Sequence, residues 1–286
     1  MLANQTTQSP KLPVSYIMTR RHFVYRIGGV LSLLLVLFCT AGEAQHLEAY
    51  QRKIFVAKSD TLPYRILYPE NFGSEERYPL VVILHGAGER GTDNESQLVY
   101  GAKLFLEPHN RKQFPAIVVF PQCPQDSYWS NVNIVKDDNG RRAFNFREDK
   151  GEPTKAMKAL MGLIKELEKS GTVDKKRMYI GGLSMGGMGT FELLRRKPKK
   201  FAAAFPICGG GHPAGVNKYA KRVDLWIFHG QEDAVVPVEN SRIMAEAIEH
   251  AGGNVRLTVY PGVNHNSWDY AFKEPNLLPW LFSHKR

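Results

Sequence analysis

The chain has 286 residues, 43% hydrophobic and 11% aromatic, which suits a globular protein of one α/β domain, or at most two small ones, and not a disordered chain. Its formal net charge is +10, but residues 1–44 hold Lys11, Arg20, Arg21 and Arg26 against Glu43, so the remainder carries 34 basic and 27 acidic residues, or +7. That excess is spread along the chain. The one dense run, Arg195-Arg196-Lys197-Pro198-Lys199-Lys200, lies at a predicted helix end, where cations suit the dipole, and reads as a solvated terminus and not as a nucleic-acid patch.

Residues 1–17 are polar and carry no folding signal. Thr19 to Arg26 is a basic segment, Ile27 to Phe38 a twelve-residue apolar run, and Ala41-Gly42-Glu43-Ala44 closes it with small residues. This pattern predicts a secretory signal peptide cleaved after Ala44, with Met18 as an alternative start. The run falls short of the roughly 20 residues that span a bilayer. Phe38 is bulky where a lipidation box before Cys39 needs a small residue, and the Leu-rich core fits the general secretory route better than a twin-arginine one. The chain therefore divides into an N-terminal extension with signal peptide, 1–44, and a single domain, 45–286, exported to the periplasm or beyond.

Two short strands are predicted at Lys53 to Ala57 and Leu62 to Tyr68. Tyr78 to Gly86 and Ala116 to Phe120 are continuous apolar runs, as in parallel strands covered on both faces. Between them Leu98 to Leu106 reads as helical. Residues 121–153 show no long periodicity and are rich in Pro, Asp and Asn, so a functional loop or lid is expected there. Thr154 starts an amphipathic helix, with Met157, Leu160, Met161, Leu163, Ile164 and Leu167 at helical spacing, and Gly171 closes it. A strand ending at Leu183 follows, then a helix from Ser184 that Pro198 stops. Strands at Phe201 to Ile207, Val223 to Gly230 and Val255 to Tyr260 alternate with a helix from about Glu239 to Ala251, and Leu277 to Ser283 is a terminal helix. The alternation predicts a mostly parallel sheet with helices on both faces.

Gly182-Leu183-Ser184-Met185-Gly186 is a G-x-S-x-G turn between strand and helix. The glycines let strand and helix pass closely around a serine with strained backbone, and the helix N-terminus favours negative charge beside it. Open α/β sheets gather their sites at the carboxyl ends of strands. At two such ends stand His229-Gly230-Gln231-Glu232-Asp233 and Gly262-Val263-Asn264-His265. The order is serine, an acid 49 residues on, then histidine 32 residues later, which is the α/β-hydrolase order. A serine hydroxyl needs a base, an imidazole can take and return its proton near neutral pH, and a buried carboxylate fixes the imidazole tautomer. Ser184, Asp233 and His265 are thus the candidate catalytic residues, with Glu232 as the rival acid. Asp269 is expected to cap or solvate the last loop, and His85 and His229, each before a glycine, to anchor turns. No close pair at metal-ligand spacing supports a zinc site from His85, His229, His265 and Asp233. His85-Gly86-Ala87-Gly88-Glu89-Arg90-Gly91 is the expected oxyanion loop, with the N–H groups of Ala87 (or Gly88) and Met185 as donors.

Leu84 to Gly91, Gly182 to Gly189, Pro206 to Gly211 and Pro261 to Trp268 resemble motifs of the secreted carboxylesterases of the predicted-peptidase group, relatives of polyhydroxybutyrate-depolymerase-like and feruloyl esterases. The resemblance runs from about residue 60 to the C-terminus. It implies an α/β-hydrolase fold, no cofactor, Ser184, Asp233 and His265 as the triad, and short-chain or aryl ester substrates, with acylated plant polysaccharide as one source. His212 departs from the group, where an acidic residue is expected. In this strand order Cys123 and Cys208 end strands three spacings apart, roughly 14 Å, too far for a disulfide, so both are expected to be free thiols. Trp129 and Trp268 are candidate substrate contacts. No nucleic-acid partner is expected, and no membrane contact beyond the export signal. The rival readings are a serine peptidase of prolyl-oligopeptidase type, for whose gating domain the chain leaves no room, and a non-catalytic binding protein, against which the three intact residues argue.

Overall fold

The computed structural model describes residues 47–286 apart from 58–59, 137, 139, 141 and 148–150. The predicted signal peptide, its Ala44 cleavage point and Cys39 lie outside the described residues. Ten strands form, at β1 Gln51–Ala57, β2 Asp60–Leu67, β3 Tyr78–Leu84, β4 Ile117–Pro121, β5 Val132–Lys136, β6 Arg142–Phe146, β7 Val173–Leu183, β8 Ala203–Ile207, β9 Asp224–Gly230 and β10 Val255–Tyr260. The helices are α1 Ala102–Leu106, α2 Pro108–Gln113, α3 Lys155–Lys169, α4 Met185–Arg196, α5 Glu239–His250, α6 Trp268–Ala271 and α7 Leu277–Ser283. Residues 49–286 make up one compact unit.

Eight strands join in one sheet of order β1-β2-β4-β3-β7-β8-β9-β10. β1 and β2 are antiparallel to each other, and β2 to β4; every later pairing is parallel. The protein thus has the α/β-hydrolase architecture. The apolar runs explain the centre: every residue of β3, β4 and β8 is buried. α3 packs on β1, β2 and β7, whereas α4 packs on β7, β8 and β3. Thr154 caps α3, its Oγ1 accepting the Met157 N–H at 3.1 Å, and the stripe read from sequence is the buried face, including Met157, Leu160, Leu163 and Ile164.

Three local expectations change. The helix expected over Leu98 to Leu106 is split, because Gly101 takes φ of 83° between a 3-10 turn at Ser96–Leu98 and α1. The 121–153 segment is not all loop, since β5 and β6 pair as an antiparallel hairpin. The basic run is not simply solvated. Glu192 accepts from buried Arg195 at 2.9 Å and from Arg196 at 2.6 Å, and Glu168 accepts from Lys200 Nζ. Cys123 and Cys208 are free and buried, just past the ends of β4 and β8, strands that β3 and β7 separate. Among the described residues, no helix is long and apolar enough to cross a membrane.

Candidate active site

Ser184 stands between β7 and α4 with φ of 53°, a left-handed conformation costly for a residue with a Cβ. Its backbone is held from both sides, its N–H donating to Ile207 O at 2.9 Å and its carbonyl accepting Met188 N–H at 3.0 Å. The flanking glycines are a packing requirement. A Cβ on Gly186 would lie 2.0 Å from Leu84 O, and one on Gly182 2.6 Å from Gly186 O.

The acid and the histidine arrive on the turns after β9 and β10. Asp233 is 6% exposed, while its rival Glu232 is exposed. Asp233 Oδ1 accepts the N–H groups of Val235 at 2.9 Å and Val236 at 2.8 Å. Oδ2 lies 2.7 Å from His265 Nδ1, and His265 Nε2 lies 3.0 Å from Ser184 Oγ. Asp233, His265 and Ser184 therefore form one continuous hydrogen-bonded chain across three strand ends. Burial opposes ionisation of Asp233, but hydrogen bonds from His229, His265 and the Val236 N–H overcome it and hold the carboxyl well below its usual range.

Two supporting residues escaped the sequence reading. Asn264 Oδ1 accepts the N–H of Ala234 at 3.1 Å and that of His265 at 2.8 Å, tying the acid turn to the histidine turn. Its position next to His265 was the available signal. His229, expected to anchor a turn, is fully buried and does more. Its Nε2 faces two acceptors, Val236 O at 2.8 Å and Asp233 Oδ2 at 3.2 Å, so that nitrogen carries a proton. Nδ1 lies 2.7 Å from Ser241 Oγ. His85 does anchor its turn: Nδ1 donates to Gly86 O at 2.6 Å, and Nε2 accepts Cys123 N–H at 2.9 Å.

Ser184 and His265 open on a cleft of about 220 Å³. Ala87 lines it at the start of the 3-10 turn Ala87–Glu89, and Met185 is the buried first residue of α4. Glu89, the last residue of this turn, has its pKa raised by burial, against the N–H groups of Gly86 and Glu89 itself. Trp268 lines the cleft with its ring edge-on to His265 at 5.3 Å. Trp129 does not. It is 0% exposed, packed T-shaped on His85 at 5.5 Å and so close to Gly189 that an added Cβ would lie 2.4 Å from its own, so its expected place in the cleft is corrected to the core. The cleft wall comes instead from Tyr100, Tyr128 and the β5–β6 hairpin, through Ile134, Arg142 and Phe144.

Among the described residues, Cys208, Asp233 and His265 bring potential metal-donor atoms within 4.8 Å of one another, and His85 is not in that group. In this cluster Asp233 and His265 are bonded to each other, and burial, followed by the nearby Asp233 charge, pushes the Cys208 thiol far up, which suits a protonated thiol better than a metal ligand.

Residues 72–274 match the model of the phospholipase/carboxylesterase family. The chain is 34% identical over 83 residues to a bifunctional acetylxylan esterase/xylanase of Neocallimastix patriciarum, covering 29% of this chain and 12% of that one. It is 25% identical to a probable feruloyl esterase C of Aspergillus oryzae, covering 76% of this chain and 73% of the relative. A solved structure of a thermostable esterase matches with a TM-score of 0.75 at 37% identity, over 85% of this chain and 64% of the other. The chain thus spans a small part of the bifunctional relative and under two thirds of the thermostable esterase.

Proposed function

The chain belongs to the phospholipase/carboxylesterase family of α/β hydrolases, and on that premise we propose that it is an exported serine carboxylesterase acting on short-chain or aryl esters, with acylated plant polysaccharide as their source. The observation that carries this is the Ser184–His265–Asp233 chain of hydrogen bonds, 3.0 and 2.7 Å long, opening on one cleft. In the reaction Ser184 Oγ attacks the ester carbonyl as His265 Nε2 takes its proton. Asp233 stays ionised and stabilises the imidazolium. The N–H groups of Ala87 and Met185 receive the oxyanion, each worth about 3 kcal/mol. The intermediate collapses as His265 returns the proton to the leaving alcohol, giving an acyl-Ser184 ester. Water, deprotonated by His265, then releases the acid. Aromatic Trp268 on the cleft wall supports an aryl acid or a sugar as the bound group.

The N-terminal pattern supports export, with residues 45–286 as the mature single domain. N-terminal sequencing of protein recovered outside the cytoplasm is expected to begin at Gln45. The enzyme itself is tested with p-nitrophenyl acetate, methyl ferulate and a proline-containing peptide, with Ser184→Ala alongside. Ester turnover that Ser184→Ala abolishes is expected. Turnover that survives the substitution refutes the mechanism, peptide cleavage without ester turnover indicates a peptidase, and silence on every substrate indicates a binding protein.

A further inference from the structure

The cleft that holds Ser184 and His265 has two kinds of lining. Part of its wall is aromatic and apolar, through Trp268 and Phe144. The same cleft is also lined by Arg142, on β6, and by Tyr128. Arg142 is exposed, and no acidic side chain pairs with it among the described residues. The Tyr128 ring lies under the Arg90 guanidinium, 5.9 Å from its centroid, and its hydroxyl has no hydrogen-bond partner among the described residues. Burial raises the Tyr128 pKa, while Arg90 and then Arg142 pull it down, which places both cations in its electrostatic reach. An uncommitted guanidinium and an uncommitted phenol lining one cleft are a donor set for a carboxylate. Glu89 also lines the cleft, on the oxyanion turn. The net charge of +7 over residues 45–286 adds a long-range attraction for anionic ligands.

We propose that this cleft selects esters bearing a carboxylate near the scissile bond, such as a uronate-bearing oligosaccharide presents, with the Arg142 guanidinium and the Tyr128 hydroxyl binding that carboxylate. The proposal rests on the esterase reading and names the substrate class of the same site. Arg142 and Tyr128 supply binding and orientation, and take no part in proton transfer.

Two matched ester pairs test it on the purified protein: phenyl acetate against 3-carboxyphenyl acetate, and ethyl butyrate against monoethyl succinate. The first carries the charge on the alcohol side and the second on the acyl side. At low ionic strength kcat/KM for the anionic member of at least one pair is expected to exceed its neutral partner roughly tenfold, through KM, the scale of one charge-assisted hydrogen bond. Arg142→Gln is expected to erase that advantage, bringing each anionic ester to the kcat/KM of its neutral partner, and Tyr128→Phe to reduce it. Added salt should shrink it in the wild type, because exposed charges are screened. Neutral esters turned over with no anionic preference in either pair, or a preference that survives Arg142→Gln, overturns the proposal and leaves the esterase reading standing. Absence of all ester turnover refutes the esterase reading and this proposal with it.

Discussion

Asp233 is held by four donors, the Val235 and Val236 N–H groups on Oδ1 and His265 Nδ1 and His229 Nε2 on Oδ2. The first pair fixes the carboxylate plane. The second makes Oδ2 a shared acceptor, so His229 sets where that oxygen sits as it faces His265. His229 is fully buried and does not line the cleft, so its expected role is to position Asp233. His229→Gln is expected to lower kcat about tenfold with KM nearly unchanged, the scale of one lost hydrogen bond to a charge. Steady-state kinetics beside a melting curve check this. A fall in melting temperature with kcat intact would mean that His229 serves only the fold. Ser184, Asp233 and His265 were legible because each residue type is tied to a strand end and to a fixed chain order. His229 was not, because a histidine before a glycine looks the same whether it anchors a turn or braces an acid. Trp129 misled for a related reason. Its Pro- and Asp-rich surroundings suggest an exposed loop, whereas its burial is set by distant Gly189 and His85.

The tight turn Gly182–Gly186 between β7 and α4 is the element on which the site depends. β7 and α4 approach until the Gly186 Cα faces the Leu84 carbonyl of β3, and a methyl there would lie 2.0 Å from that oxygen. The obstacle is backbone in a central strand, not a side chain that can rotate away. Gly186→Ala is therefore expected to cost at least about 3 kcal/mol, and to abolish activity wherever the protein still folds. Urea denaturation and the soluble yield measure the first, ester turnover the second. Near-normal stability would mean that β3 and α4 yield at this crossing. Elements with a period were readable, and β10 and α7 lie where the pattern puts them. α2 was not, because Pro108–Gln113 buries no residue and so has no apolar stripe to detect. The β5–β6 hairpin was missed because its strands are short and mostly exposed, covering a cleft that only the folded sheet creates.

On the scale of the whole molecule, His85 couples the site to pH. It bridges the ends of β3 and β4, accepting Cys123 N–H on Nε2 and donating from Nδ1 to the carbonyl of Gly86, the residue before the Ala87–Glu89 turn. Nε2 must stay unprotonated to accept. Burial, reinforced by the Arg90 charge, lowers its pKa from 6.5 to about 4, against the Gly86 carbonyl and Asp93, which favour the cation. The unfolded chain therefore binds more protons than the folded one between about pH 6.5 and 4. The stability His85 contributes is fully present above pH 6.5 and is lost as pH falls through about 4, on the order of 3 kcal/mol in all. Asp233, with its pKa well below the usual range, adds a loss only under the ordinary carboxylate pKa of 3.8, outside that window. Urea midpoints at pH 7, 5.5 and 4.5 are expected to fall in sequence. In His85→Gln, whose amide oxygen can still accept the Cys123 N–H, the fall should flatten across the window. An unchanged slope in that variant would assign the acid sensitivity to other groups. The Ala87–Glu89 turn, proposed to receive the oxyanion, directly follows Gly86, so wild-type ester turnover at pH 5 is expected to decay with time as stability is lost and to return on neutralisation.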